Sequence, residues 1–224
     1  MAAMTRPTFA VALLLVCATT LASGCGGSSS PVRSPSALRR VAARRVVRAM
    51  LPTIADYPGY ERQIRTVDRS CPSTRSDSGT LAQTGGDAVT LAAGSVTVTG
   101  GAAVYSTPAH ARTEYEQTLA PAFLHCLVTS LRTSLRAGVV PGVVKTSVSP
   151  LDVGDEGSAV HVAVSLRDHG HEYTVYVEVG FYRVSNATGS LSIVAWPRRY
   201  PPDLFHAELD RLAERGRSVL HETA

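Results

Sequence analysis

Three histidines around one predicted hairpin are the residues whose types and spacing best suit metal binding. His169 and His171 flank Gly170 in a turn that begins at Asp168, and His161 lies on the preceding predicted strand. A His-x-His pair binds a divalent ion when both imidazoles point the same way. Asp and Gly are equally expected in a solvated hairpin turn without a metal. We predict no metal site and no cofactor, and the role of the His169/His171 hairpin stays open.

Motifs for nucleophilic or acid–base catalysis are missing from the sequence. It contains no Gly-x-Ser-x-Gly elbow, no Ser-x-x-Lys and no glycine-rich phosphate loop. The carboxylate pairs Asp155/Glu156 and Glu114/Glu116 fall in a predicted loop and on a helix face, where solvation is the ordinary role. We therefore predict no catalytic residue and expect that the protein is not an enzyme.

The N-terminal segment predicts export and lipidation. Arg6 precedes an apolar run from Phe9 to Ala22, which is shorter than the roughly 20 residues of a membrane-spanning helix. Ala22-Ser23-Gly24 then precedes Cys25, a pattern that resembles the lipobox of bacterial lipoproteins, with Ala22 where a larger aliphatic residue is usual. The resemblance implies cleavage after residue 24 and a lipid on Cys25. An ordinary signal peptide with a free Cys25 is the alternative.

Two of the four cysteines remain for the folded protein, since Cys17 leaves with the leader and Cys25 carries the lipid. Cys71 and Cys126 form an even pair in an oxidising compartment, which predicts a disulfide. By the chain-entropy argument, closing a loop of this length stabilises the fold by roughly 4 kcal/mol. A catalytic thiol is the weaker alternative, because His125 adjoins Cys126 on a helix and neighbours there point about 100° apart.

Positive charge is concentrated near the predicted anchor. The chain has 224 residues and a formal net charge of +4, carried by arginine apart from Lys145. Export argues against nucleic acid as the partner, so we expect the membrane to attract the charge. The first predicted helix carries a basic face that we expect to lie on the bilayer, although a solvated face is an equal alternative: Arg40, Arg44, Arg45 and Arg48.

A second candidate surface follows the last predicted strand. Aromatic, arginine and proline residues, which are types enriched at interfaces, are concentrated there. We predict a partner surface formed by Trp196, Arg198, Arg199 and Tyr200. The alternative is a plain connector that leads into a helix at Pro201-Pro202.

The elements that must position these residues form an α+β pattern. We predict an antiparallel β-sheet flanked by an N-terminal helix (36–50), a long central helix (107–135) kinked or divided at Pro121, and a C-terminal helix. Alternating residues predict strands over 89–93, 95–99, 143–149, 159–167 and 173–181, with a turn at Gly100-Gly101 and a loop over 70–86. Residues 1–24 are the predicted leader, 25–36 a flexible tether and 37–224 a single domain.

Local features within this pattern resemble a known class of proteins. They are the turn Ala55-Asp56-Tyr57-Pro58-Gly59, the run Ser70-Cys71-Pro72, the Val104-Tyr105-Ser106 entry to the central helix, and Ala122 to Cys126. Together they resemble uncharacterised actinobacterial lipoproteins related to the extracellular sensor domain of a mycobacterial receptor serine/threonine kinase, with a Mog1/PsbP-like architecture. That kinase domain has two disulfides, whereas this chain has cysteines for one.

The predicted function follows from the anchor and the fold. We expect a lipoprotein on the extracytoplasmic face of the cell membrane, whose sensor-like domain binds a ligand or partner without catalysis. A small apolar ligand would bind between the sheet and the kinked helix. The alternative is a structural or assembly-helper lipoprotein that docks another envelope protein and takes no small ligand.

Overall fold

The computed structural model describes residues 35–63, 79–83, 89–133, 140–168 and 171–223. The leader, the tether, Cys25, Cys71 and His169 lie outside the described residues. The described helices are α1 (Pro35–Ala49), α2 (Pro108–Thr118), α3 (Pro121–Thr133) and α4 (Pro202–Thr223), with a 3₁₀ turn at Ile54–Asp56. The described strands are β1 (Glu61–Gln63), β2 (Thr80–Gln83), β3 (Val89–Ala93), β4 (Val96–Tyr105), β5 (Val140–Leu151), β6 (Glu156–Asp168), β7 (His171–Val184) and β8 (Ala187–Ala195).

These strands form one antiparallel sheet, which confirms the predicted α+β fold. Its order is β1-β3-β4-β8-β7-β6-β5, and β2 pairs with the end of β4 beyond β3. Strands β5 to β8 follow one another as a meander, since each pairs with the next along the chain. The pairing of β4 with β8 joins this meander to the N-terminal strands.

Alternation along the strands gives the sheet two apolar faces, each covered by helices. Val160, Val162 and Val164 of β6 point to the face under α2 and α3, where Tyr115 and Leu127 meet them. Ile193 of β8 and neighbouring residues point to the opposite face, where α1 and α4 pack. None of the described residues forms a helix long and apolar enough to cross a membrane.

Strand β4 runs unbroken through Gly100 and Gly101, so the predicted turn at these residues is wrong. The chain turns earlier, at Gly94 and Ser95, where Gly94 has a positive φ of 56°. Gly100 is needed for close packing, because a Cβ there would lie 2.1 Å from Cδ of Pro52. Glycine inside a strand often marks such a close approach.

The central helix is divided at Pro121, one of the two outcomes predicted there. Helix α2 begins after Thr107, whose hydroxyl accepts a hydrogen bond from the backbone N–H of His110 at 3.2 Å. It ends at Thr118, and Pro121 opens α3, a position where the missing N–H has no cost.

The predicted loop over 70–86 also contains strand β2, which pairs with β4 through a short irregular register.

Candidate functional site

The predicted cysteine chemistry falls mostly outside the described residues. Cys126 is half-buried on α3 and is not a free thiol. Because Cys71 lies outside, its pairing with Cys126 stays a prediction, as does the lipid on Cys25.

The four predicted membrane-facing arginines share the outer face of α1. Arg40, Arg44, Arg45 and Arg48 are exposed, while Ala43, Val46, Val47 and Met50 are buried against the sheet and α4. An exposed basic face next to a predicted lipid is the arrangement that a membrane surface would attract.

The predicted partner surface is spread around one end of the sheet. Trp196 packs at the rim of the apolar cluster under α2 and α3, whereas Tyr200 packs against the cluster on the opposite face. Arg198 is exposed, and Arg199 makes an ion pair with Glu178. The segment therefore passes from one face of the sheet to the other, and the structure does not bring its four predicted residues together on one patch.

Glu178 is the centre of a polar cluster that the sequence analysis missed. It lies on β7 between Val177 and Val179, and its side chain is only 4% exposed. It points to the α4 face of the sheet, as does Gly180, over which Leu209 of α4 packs so closely that a Cβ would lie 2.3 Å from Cδ1. A buried carboxylate requires charged or hydrogen-bonding partners, because burial without them is costly.

Two side chains from neighbouring elements supply these partners, and a third contacts one of the two. His161 of β6 stands directly opposite Glu178 in the register, and its Nδ1 is hydrogen-bonded to Oε2. Arg199 donates from Nε to Oε1 at 2.5 Å and from Nη2 to Oε2 at 3.2 Å. Ser149 of the edge strand β5 extends the chain of contacts, with its Oγ 3.1 Å from Nε2 of His161.

The ion pair selects the tautomer of the histidine that bridges the cluster. Glu178 is the carboxylate partner of Arg199 and raises the pKa of that guanidinium, with a smaller contribution from Tyr176. An ionised carboxylate only accepts hydrogen bonds, so Nδ1 of His161 must donate to it. In the neutral imidazole, Nε2 then carries the lone pair and accepts from the hydroxyl of Ser149. Nη2 of Arg199 also lies 2.9 Å from Nδ1 of His161. In this tautomer both nitrogens are donors, and both donate to the Glu178 carboxylate.

The histidines considered for metal binding are separated along the sheet. His171 pairs with Asp168 at the hairpin end, whereas His161 lies seven residues along β6, roughly 23 Å away at strand spacing. Within the described ranges, no group of three or more His, Cys, Asp or Glu side chains is placed to hold a metal.

A second polar network holds the Ala55–Gly59 turn against α4. Asp56 accepts hydrogen bonds from the backbone N–H of Thr53 at 2.8 Å and from Nη1 of Arg215 at 3.0 Å, and Arg211 lies 3.5 Å away. Burial alone would raise the pKa of Asp56, but these partners outweigh it and hold the pKa below its usual value. Burial raises the pKa of the neighbouring Glu208. These contacts fix the turn against α4, which gives the Ala55–Gly59 motif a structural role.

Comparison with known proteins gives a distant likeness. No protein-family model matches the chain, and no curated protein matches it either. Among solved structures, the extracellular domain of PknH from Mycobacterium tuberculosis aligns over 80% of this chain and 96% of its own length, with 7% identity and a TM-score of 0.42. This neighbour is an extracellular domain of a mycobacterial kinase, the kind of domain to which the sequence pattern is similar. At this identity and TM-score, the function must be argued from the chain's own residues.

Proposed function

We propose that the chain is a lipid-anchored binding domain on the extracytoplasmic face of the cell membrane. A lipid on Cys25 and a tether over 26–36 would hold the domain beside the bilayer. The arginine face of α1 would then orient the domain, since each cation near an anionic surface contributes about 1 kcal/mol. The ligand in this proposal is a small apolar molecule.

The observation that carries the binding proposal is an exposed apolar surface at Val148, beside α3. Val148 of β5 is 49% exposed, although Val160, its partner on β6, is fully buried under the helices. The helical layer thus ends before the edge strand. Six half-buried apolar side chains pack against the same cluster that buries Val160: Leu119, Phe123, Leu124, Val144, Tyr173 and Trp196. Phe123 closes the inner side by an edge contact with Phe181, at 5.9 Å between ring centroids.

Fluorescence of cis-parinaric acid, a fatty acid with an apolar polyene chain, tests this surface. The full-length Cys25→Ser chain should bind the probe saturably. Val148→Asp should weaken binding by about tenfold or more, because it places a charge in the apolar site. Ser147→Asp is the matched control, since residue 147 faces the other side of the sheet. Absence of saturable binding, or equal weakening by both variants, would contradict the proposal.

The assembly-helper alternative predicts a different pattern. The probe would not bind, and cross-linking in cells would capture an envelope protein through the exposed Arg198, with Arg167 as an exposed control position. A cross-link from Arg198 alone, without probe binding, would favour this alternative.

Metabolic labelling with an alkyne-bearing palmitate tests the anchor. Wild-type protein and the Cys17→Ser variant should both carry the label, whereas Cys25→Ser should lose it and leave the membrane fraction. If the wild-type chain is unlabelled, or if Cys25→Ser stays equally membrane-bound, the proposed anchor is wrong.

Vesicle binding tests the orientation. The Cys25→Ser chain should bind phosphatidylglycerol vesicles more tightly than phosphatidylcholine vesicles, and added salt should remove the difference. Replacing Arg40, Arg44, Arg45 and Arg48 by Gln should remove it too, whereas Arg167→Gln should not. Binding that ignores both lipid charge and salt would exclude this role for α1.

A further inference from the structure

We propose that Ser149 is a nucleophile that takes the acyl group from carboxylic esters, and that it is activated by His161, which Glu178 positions. This goes beyond the binding role proposed above and beyond the expectation of a non-catalytic chain. The sequence showed no such site because its three members lie on three different strands. Their hydrogen bonds connect the Ser149 hydroxyl to Nε2 of His161 and Nδ1 of His161 to the Glu178 carboxylate.

The direction of these hydrogen bonds is the one that nucleophilic catalysis needs. Glu178 accepts from Nδ1, so Nε2 presents its lone pair to the hydroxyl of Ser149, 3.1 Å away. A base within hydrogen-bonding reach of the nucleophile, itself oriented by a third group, is the arrangement found in serine hydrolases on unrelated folds. The proton on Ser149 therefore has a defined acceptor.

The acid end of the relay Ser149–His161–Glu178 is buried, and its serine end is partly exposed. The carboxylate of Glu178 is 4% exposed and the imidazole of His161 is 25% exposed. Ser149 is partly exposed, on the edge strand of the sheet. A partly exposed serine at one end of the relay is open to a substrate, while the carboxylate at the other end stays shielded from water.

The sheet and one arginine make the relay rigid. His161 and Glu178 are directly paired across β6 and β7, and Ser149 lies on β5 one alternation from Ser147, the strand partner of His161. Arg199 binds both oxygens of Glu178, so the carboxylate cannot rotate away from His161. Arg199 and Glu178 are positioning residues, whereas Ser149 and His161 meet the reacting atoms.

The step that follows is ester hydrolysis in two halves. Ser149 Oγ forms a bond to the ester carbonyl carbon while its proton passes to Nε2 of His161. The carbon–alkoxide bond then breaks, and the alcohol leaves with that proton, which leaves an acyl-Ser149 ester. Water repeats the sequence: its proton passes to Nε2, its oxygen bonds to the acyl carbon, and Oγ leaves and recovers the proton. Ester and water become acid and alcohol.

A fluorophosphonate probe and p-nitrophenyl acetate test the proposal on the full-length chain in detergent. The probe should label Ser149 as mapped by peptide mass spectrometry, and Ser149→Ala should abolish the labelling. Hydrolysis should fall by about 100-fold or more in Ser149→Ala and His161→Gln, the usual contribution of a general base. Ser147→Ala is the matched control, because this serine makes none of the relay's hydrogen bonds, and it should keep both signals. Glu178→Gln should lower kcat and leave KM unchanged.

Each outcome decides the proposal. A variant that shows no labelling and no hydrolysis counts as folded when its circular dichroism spectrum and melting curve match those of the wild type. If His161→Gln unfolds, Ser149→Ala still tests the proposal, because residue 149 lies on an exposed edge strand. Labelling that persists in Ser149→Ala, or equal loss in Ser147→Ala, would overturn the proposal. An unlabelled wild-type chain with no hydrolysis above buffer would overturn it as well.

Discussion

The contact between β4 and the segment after α1 gives a sharp stability prediction. A Cβ added at Gly100 would lie 2.1 Å from Cδ and 2.7 Å from Cγ of Pro52. Carbon atoms in ordinary contact are about 3.5 to 4.0 Å apart, so one group must move by more than 1 Å. Pro52 is a buried, rigid ring that connects α1 to the 3₁₀ turn, so it has no rotamer by which to withdraw.

The expected cost of Gly100→Ala follows from two opposing terms. Overpacking a well-packed core costs about 1–3 kcal/mol. Replacing glycine by alanine where φ is not positive recovers about 0.4–1 kcal/mol from the unfolded chain. The net loss should be about 1–2 kcal/mol, which for a chain of this size lowers Tm by roughly 2–8 °C.

Gly101 provides the control for this prediction. A Cβ at Gly101 would meet only Oγ of Ser190, at 3.1 Å, and a hydroxyl can rotate away. Gly101→Ala should therefore be at least as stable as the wild type, because the gain of about 0.4–1 kcal/mol from the unfolded chain opposes only this small contact. Urea unfolding of the Cys25→Ser chain, followed by circular dichroism, measures both variants. If Gly100→Ala is as stable as Gly101→Ala, the segment around Pro52 is not fixed on β4 and the argument fails.

Three further predictions concern the polar groups. Asp56→Asn should cost about 1.5–3 kcal/mol, the usual range for hydrogen bonds to charged groups. The pKa of Asp56 is lower in the folded than in the unfolded chain. Its contribution to the free energy of unfolding is therefore present above the unfolded-state pKa and is lost as the pH falls through the folded-state pKa. The urea midpoints of the wild type and the variant should converge in acid, and a constant difference between them would contradict this. Tyr182→Phe removes the hydrogen bond from the buried hydroxyl to the Met50 carbonyl, 3.2 Å long, and should cost about 1 kcal/mol without changing the urea m-value. Arg199→Ala removes the guanidinium that pairs with the buried Glu178 and should cost about 1–3 kcal/mol of stability. Arg198→Ala, at an exposed neighbouring residue, should cost nearly nothing. Thermal unfolding measures both variants, and equal costs would refute the role of the ion pair.

The sheet's second half was readable from the sequence because its register follows from one turn. Once the hairpin is placed at Asp168–His171, each step back along β6 matches one step forward along β7, and His161 meets Glu178. The alternation already put His161 on the polar face. The pair was therefore within reach of sequence reasoning, which considered His161 only with the other histidines.

Other features depend on contacts between distant parts of the chain. Gly100-Gly101 has the composition of a turn, and only the approach of Pro52 explains glycine inside a strand. Arg199 reaches Glu178 because the connector after β8 crosses the end of the sheet, and no local pattern specifies that path. Ser149 lies opposite Ala159 in the β5–β6 register and reaches His161 diagonally. Pairing across the strands alone would join His161 to Ser147 instead.

The pairing of β4 with β8 has a consequence for the order in which the newly made chain can fold. About 80 residues separate Val104 from its partner Ala187, and α2, α3 and three strands are made in between. At about 5–20 residues per second, β4 emerges from the ribosome roughly 4 to 16 seconds before the strand that completes it. During that interval its apolar residues have no final neighbour on that side. A nascent chain of this protein is thus expected to engage a holding chaperone until β8 has been synthesised.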